Sequence, residues 1–140
     1  MIELLYKDLT EKIIKSFLEV YNLLGYGHSK EIYLEALAIE MTKQGLEFER
    51  DVHKDILYKG IKVGQYKFDF VNENKVLLYL ATAERINEKT EYSIVNNLKS
   101  SRYEVGLVLN FGRKPEVRRK IFLNGRKFIK KGDILNEARN

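Results

Sequence analysis

Residues 66–84, YKFDFVNENKVLLYLATAE, decide how the chain folds. Tyr66 to Val71 has the aromatic and β-branched content of a strand. Asn72-Glu73-Asn74-Lys75 has turn chemistry, because asparagine tolerates left-handed backbone and competes for local hydrogen bonds. Val76 to Leu80 is an unbroken apolar run, the mark of a central strand covered on both faces. One acid interrupts the first strand. A two-residue period places Tyr66, Phe68 and Phe70 on one face, and Lys67, Asp69 and Val71 on the other. A carboxylate beside a central strand is partly desolvated, which is costly unless it is paired or metal-bound. Asp69 therefore reads either as half of a salt bridge or backbone bond, or as part of a live or relict metal site.

Upstream, DLTEKIIKSFLEVYNLL (8–24) carries Ile13, Ile14, Phe17, Val20, Tyr21 and Leu24 at helical spacing. Asp8 or Thr10 can cap its start and Gly25 its end. A second helix is expected from about Ser29 to Gln44, closed by Gly45. The period then changes to two. LEFERDV, DILY and IKVGQYKFDFV read as antiparallel strands joined by tight turns. Downstream, Asn87 is an expected N-cap for a helix over about 88–101, and VGLVLNF (105–111) for a further buried strand. VRRKIFL and RKFIK flank Asn124-Gly125, a two-residue hairpin signal, and 132–140 read as a short frayed helix. The expected order is α-α-β-β-β-β-α-β-β-β, one mixed sheet with helices on its faces, with 76–111 a parallel crossover.

A chain of 140 residues, 44% hydrophobic and 32% charged, is the size of one domain with a real core, expected over 1–140. No apolar run reaches membrane-spanning length, the start does not resemble a signal peptide, and there is no cysteine. A cytoplasmic protein is expected, with no membrane partner. The net charge of +5 is unevenly spread. Segment 113–131 holds Arg113, Lys114, Arg118, Arg119, Lys120, Arg126, Lys127, Lys130 and Lys131 against Glu116 alone, which leaves the rest of the chain mildly acidic. Such clustering suits DNA or another polyanion. It equally suits the solvated face of an edge strand.

Most catalytic chemistries lack their residues. His28 and His53 lie far apart and read as ordinary polar residues rather than zinc ligands. There is no G-x-S-x-G elbow and no phosphate-binding glycine loop. Glu31, in the first turn of the second helix, is already suited to the helix dipole.

Taken together, GHSKEIY (27–33), LEALAIEMTKQGLEFERDV, YKGIKVGQYKFDFV and VGLVLNFG resemble the GxxExxY family of the PD-(D/E)XK nuclease-like superfamily, over about residues 6–122, with 123–140 as a basic extension. The resemblance implies a restriction-endonuclease-like core of the α/β (α+β) kind: a central mixed sheet flanked by helices, here with a C-terminal β-hairpin. It implies that active relatives hold Mg²⁺ between a strand aspartate and the glutamate of a following E-x-K, with a helix glutamate contributing. Metal of this kind activates water and offsets charge on phosphorus oxygens. Matched by position, Glu31 is the helix glutamate, Tyr33 the motif tyrosine and Asp69 the strand aspartate. Tyr79 stands in place of the E-x-K glutamate and Ala81 in place of its lysine. Ser93 and Asn97 replace a glutamine and a tyrosine on the later helix.

The expectation is thus a degraded site: Glu31 and Asp69 as weak metal candidates, no required cofactor, and Mg²⁺ only if the site is active. Glu84, Glu88 and Lys99 are the candidates for migrated catalytic groups. Three functions compete. One is a catalytically inactive module that binds DNA through Lys67, Arg113, Lys114, Arg118, Lys120, Arg126 and Lys127. Another is a metal-dependent nuclease with migrated residues. The third is a scaffold, such as a homodimer, without affinity for nucleic acid.

Overall fold

The computed structural model describes residues 5–127. Helix α1 (Lys7–Leu24) begins after Tyr6, whose φ is 55°, and ends at Gly25, whose φ is 73°. Neither Asp8 nor Thr10 is its cap. The Thr10 hydroxyl donates back to Lys7 O within the first turn, at 3.1 Å. Helix α2 (Lys30–Lys43) starts after extended Ser29 and buries Tyr33, Leu37 and Met41, a four-residue step that gives one apolar edge.

The strands are β1 (Phe48–Tyr58), β2 (Ile61–Asn72), β3 (Val76–Ala81), β4 (Val105–Phe111) and β5 (Pro115–Ile121), with α3 (Glu88–Lys99) between β3 and β4. They form one sheet in the order β1-β2-β3-β4-β5. Only β3 and β4 run parallel; the other neighbours are antiparallel. The sheet is mixed and the class α+β, with the restriction-endonuclease-like arrangement. Two turns follow their sequence chemistry. Lys59 and Gly60 (φ 50° and 82°) join β1 to β2, and Glu73 and Asn74 (φ 53° and 57°) join β2 to β3, closed by Lys75 N–H to Asn72 O at 2.9 Å.

Two expectations need correction. LEFERDV and DILY are one strand, because His53 and Lys54 between them stay paired with Lys67 and Tyr66 of β2; the register shifts only further on, between Ile56 and Leu57. Asn124-Gly125 does not close a two-residue hairpin: Asn124–Arg126 form a single 3-10 turn. Residues 128–130 of the expected second arm, and the expected helix at 132–140, lie outside the described residues. The C-terminal hairpin within them is β4–β5, paired from Val105↔Ile121 to Phe111↔Pro115.

The sheet separates two cores. On one face α1 and α2 bury Ile13, Phe17, Val20, Tyr33 and Leu37 against Phe70, Val76, Leu78, Leu80 and alternate residues of β4. On the other, Ile94 and Leu98 of α3 pack on Phe68, Val71, Leu77 and Val108. Leu77 and Leu78 therefore serve opposite cores, as a doubly covered strand requires. Among the described residues no helix is long and apolar enough to cross a membrane.

Candidate functional site

Asp69 lies where the sheet opens. The β2–β3 ladder runs only from Asn72↔Val76 to Phe70↔Leu78, and then the strands part. Asp69 is 6% exposed, and its Oδ2 accepts the Leu80 N–H at 2.8 Å, a bond the ladder would otherwise have supplied. Strict alternation fails here. Phe68 packs in the α3 core and Phe70 in the α1–α2 core, so they do not share a face. The strand changes its facing at Asp69, at the point where it loses its partner.

The same carboxylate oxygen meets the Lys30 ammonium at 3.1 Å. Lys30 is the first residue of α2. Glu31, the expected helix acid, is exposed and does not reach the site. One residue along a helix is a rotation of about 100°, enough to turn one neighbour inward and the other outward. Counted strictly from Gly27 to Tyr33, G-x-x-E-x-x-Y puts its glutamate place at Lys30, not Glu31. That count is the signal by which the sequence could have revealed Lys30.

Tyr33 holds the loop that presents Lys30. Its hydroxyl donates to Gly25 O at 2.5 Å and accepts the His28 N–H at 3.1 Å. Its buried ring stacks on Phe111 with centroids 4.0 Å apart. Its role here is to shape the α1–α2 turn.

Tyr79 and Asn97 come together across the opposite face. Asn97 Nδ2 donates to the Tyr79 hydroxyl at 2.7 Å, while Asn97 Oδ1 is buried without a partner. Burial pushes the Tyr79 hydroxyl up to about 12; the bond from Asn97 opposes this and the Asp69 charge adds to it. Tyr79 is thus a neutral phenol at physiological pH. Ala81 and Ser93 line a cavity of about 340 Å³ between β3 and α3, with Lys89 and Thr90 beside them. Both are short residues where the resemblance implies long ones.

The loop after β3 is fixed by residues the sequence reading passed over. Asn110 brackets Ala83, accepting its N–H and donating to its carbonyl, both at 3.0 Å. Asn110 also donates to Glu116 Oε1 at 2.9 Å, and that oxygen accepts the Ile86 N–H. A lone asparagine inside an apolar strand was the available signal.

These residues do not fit Mg²⁺. The ion favours several carboxylate and phosphate oxygens. Here one buried carboxylate is already held by an ammonium and a backbone N–H, and the Tyr79 phenol is close enough to feel its charge. Among the described residues no three His, Cys, Asp or Glu side chains gather as ligands. Glu84 pairs with Arg113 in solvent, Glu88 is exposed, and Lys99 lies over the Phe122 ring. His28 and His53 bond to Leu24 O and to the Gln65 side chain.

The cations expected to face a polyanion divide into two sets. Lys120 and Arg118 pair with Glu91 at 2.6 and 3.9 Å, which ties the edge strand β5 to α3. The half-buried Lys127 ammonium donates to Ser101 O and Tyr103 O, both at 2.7 Å. Burial pulls it down to about 8, opposed by Glu104. Lys67 meets Asp51 at 3.6 Å in solvent. Arg113, Lys114 and Arg126 are exposed, with Arg126 over the Phe122 ring.

Against known proteins, no curated protein and no solved structure matches the chain. The family model described as PD-(D/E)XK nuclease superfamily matches residues 7–120, from the start of α1 to one residue short of the end of β5 at Ile121. The mixed five-stranded sheet with its three helices agrees with that match, and the chain belongs to the PD-(D/E)XK nuclease superfamily.

Proposed function

We propose that this protein is a non-hydrolytic member of the superfamily, of GxxExxY type, that binds nucleic acid at the loop end of its sheet without a required cofactor. The observation that carries the proposal is the Lys30–Asp69 pair at 3.1 Å; Tyr79 and Ala81 stand on the adjacent strand at the places where the resemblance implies a glutamate and a lysine. A metal-dependent cleft repels phosphate until its ion arrives. This one has its acid already compensated, so a phosphate can approach without metal while nothing remains to activate water.

The interface is the end where the parallel strands β3 and β4 finish. Three loops meet there: the Arg113 guanidinium lies 5.9 Å from the Tyr26 ring centroid and 3.2 Å from Glu84. Lys114 is exposed in the same turn. An exposed aromatic ring beside cations suits stacking on bases as well as phosphate contact.

Fluorescence anisotropy with labelled duplex and single-stranded DNA across a salt series tests this. Binding should weaken steeply with salt, and the DNA should stay intact. Arg113→Gln/Lys114→Gln should reduce the salt slope by about two. Binding that ignores salt, or none near ~150 mM salt, would sink the proposal.

One observation favours a scaffold instead. The tip of the β1–β2 hairpin exposes Tyr58, Ile61 and Val63 at 63%, 70% and 64%. An apolar tip of this kind suits contact with a second copy. A clean monomer by light scattering at high concentration counts against it.

A further inference from the structure

We infer that the Lys30 ammonium is the resident cation of this cleft, taking over the charge role of a divalent ion and closing the remnant site to metal. The inference deepens the non-hydrolytic reading and rests on it.

Three observations converge. Lys30 Nζ sits 3.1 Å from Asp69 Oδ2, the oxygen that also accepts Leu80 N–H, so the ammonium engages a carboxylate fixed to the backbone at the sheet's opening. Lys30 is also the first residue of α2, where the helix dipole disfavours a positive charge. Its presence is compensated by Asp69 rather than by its own helix. Finally, the turn that carries it is braced by the Tyr33 bonds to Gly25 and His28 and by the stack on Phe111.

Charge balance gives the same result. Glutamate, aspartate, glutamate and lysine at positions 30, 69, 79 and 81 would carry two net negative charges, which one divalent ion balances. Lys30, Asp69, Tyr79 and Ala81 sum to zero with no ion. The positive charge missing at position 81 is found at position 30. Rebuilding E-x-K alone therefore leaves a cleft that is neutral without metal. A divalent ion entering it would be uncompensated and would meet the Lys30 ammonium.

The test is calorimetric titration of Mn²⁺ alone into the full chain carrying Tyr79→Glu/Ala81→Lys, and into the same variant with Lys30→Glu added. The first should bind Mn²⁺ no more tightly than the unaltered chain. The second should bind at least tenfold more tightly, and Mn²⁺ should raise its melting temperature relative to EDTA. Equal Mn²⁺ affinity with and without Lys30→Glu, in proteins of unchanged circular dichroism, overturns the inference. A second arm avoids the rebuilt variants. Lys30→Met should lower the melting temperature of the unaltered chain but not of Asp69→Asn. Equal lowering in both backgrounds also overturns it. Neither arm reads DNA binding, so failure of the nucleic-acid proposal is distinguishable from failure of this one.

Discussion

Asp69 is held by two donors of different kinds, and substitution can separate them. Asp69→Ala removes the acceptor of Leu80 N–H and the partner of Lys30 together, and should cost about 2–4 kcal/mol in urea unfolding. Asp69→Asn keeps an oxygen for the backbone bond and should cost about half as much; the Lys30 side chain is 42% exposed, so water takes over part of what the ion pair supplied. Tyr79 sets a pH dependence. Its folded pKa, about 12, lies above the ordinary value of 10.0, so the folded state holds the proton more tightly. Its contribution is fully present below pH 10 and is lost as pH rises towards 12. Tyr79→Phe should flatten stability over that window in alkaline urea titrations, and a slope unchanged by the substitution would contradict the assignment. At this scale the sequence showed that Asp69 needed a partner, because a desolvated carboxylate always does. It did not show which one, since Lys30 and Glu31 are adjacent in sequence but about 100° apart around the helix.

Elements were legible where local chemistry and tertiary context agree. Both left-handed turns of the β1–β2–β3 meander were readable, because each contains one residue that tolerates such backbone, Gly60 and Asn74, beside Lys59 and Glu73, which do not favour it. Asn124-Gly125 carried the same kind of signal and forms a different structure. The Asn124 N–H donates to Glu104 Oε2 at 2.7 Å and its amide to Arg102 O at 3.2 Å, so contacts distant in sequence override the local preference. The expected strands at 46–52 and 55–58 merged for a related reason: the polar pair His53 and Lys54 between them is held in the long ladder by its pairing with Lys67 and Tyr66 of β2. The packing of elements gives a further prediction. A Cβ on Gly112 would meet Ala83 O at 2.6 Å and Glu84 O at 2.9 Å, both backbone atoms with little freedom to move. Gly112→Ala should therefore displace the loop after β3 and cost about 1–3 kcal/mol, read by denaturant unfolding. Tyr33→Phe keeps the stack on Phe111 but frees Gly25 O and the His28 N–H; it should cost about 1–2 kcal/mol and loosen hydrogen-exchange protection in the α1–α2 turn.

Across the whole molecule, the fold was legible because the doubly buried β3–β4 pair and its connecting helix leave few arrangements open. The charge distribution was only half legible. Composition located the basic segment and Glu116 within it, but not the acid outside it that pairs with its cations, because Glu91 lies far from Arg118 and Lys120 in sequence and close to them in space. Lys120→Gln should therefore act on stability, through Glu91 and the β5–α3 contact, and barely change the salt slope of DNA binding. Arg113→Gln/Lys114→Gln should do the reverse. The most direct measurement of whether this cleft works without metal is DNA affinity and integrity, measured in parallel with Mg²⁺, with Mn²⁺ and with EDTA. The expected result is the same dissociation constant in all three and intact DNA throughout. Mn²⁺- or Mg²⁺-dependent strand cleavage that disappears in Asp69→Ala would contradict it.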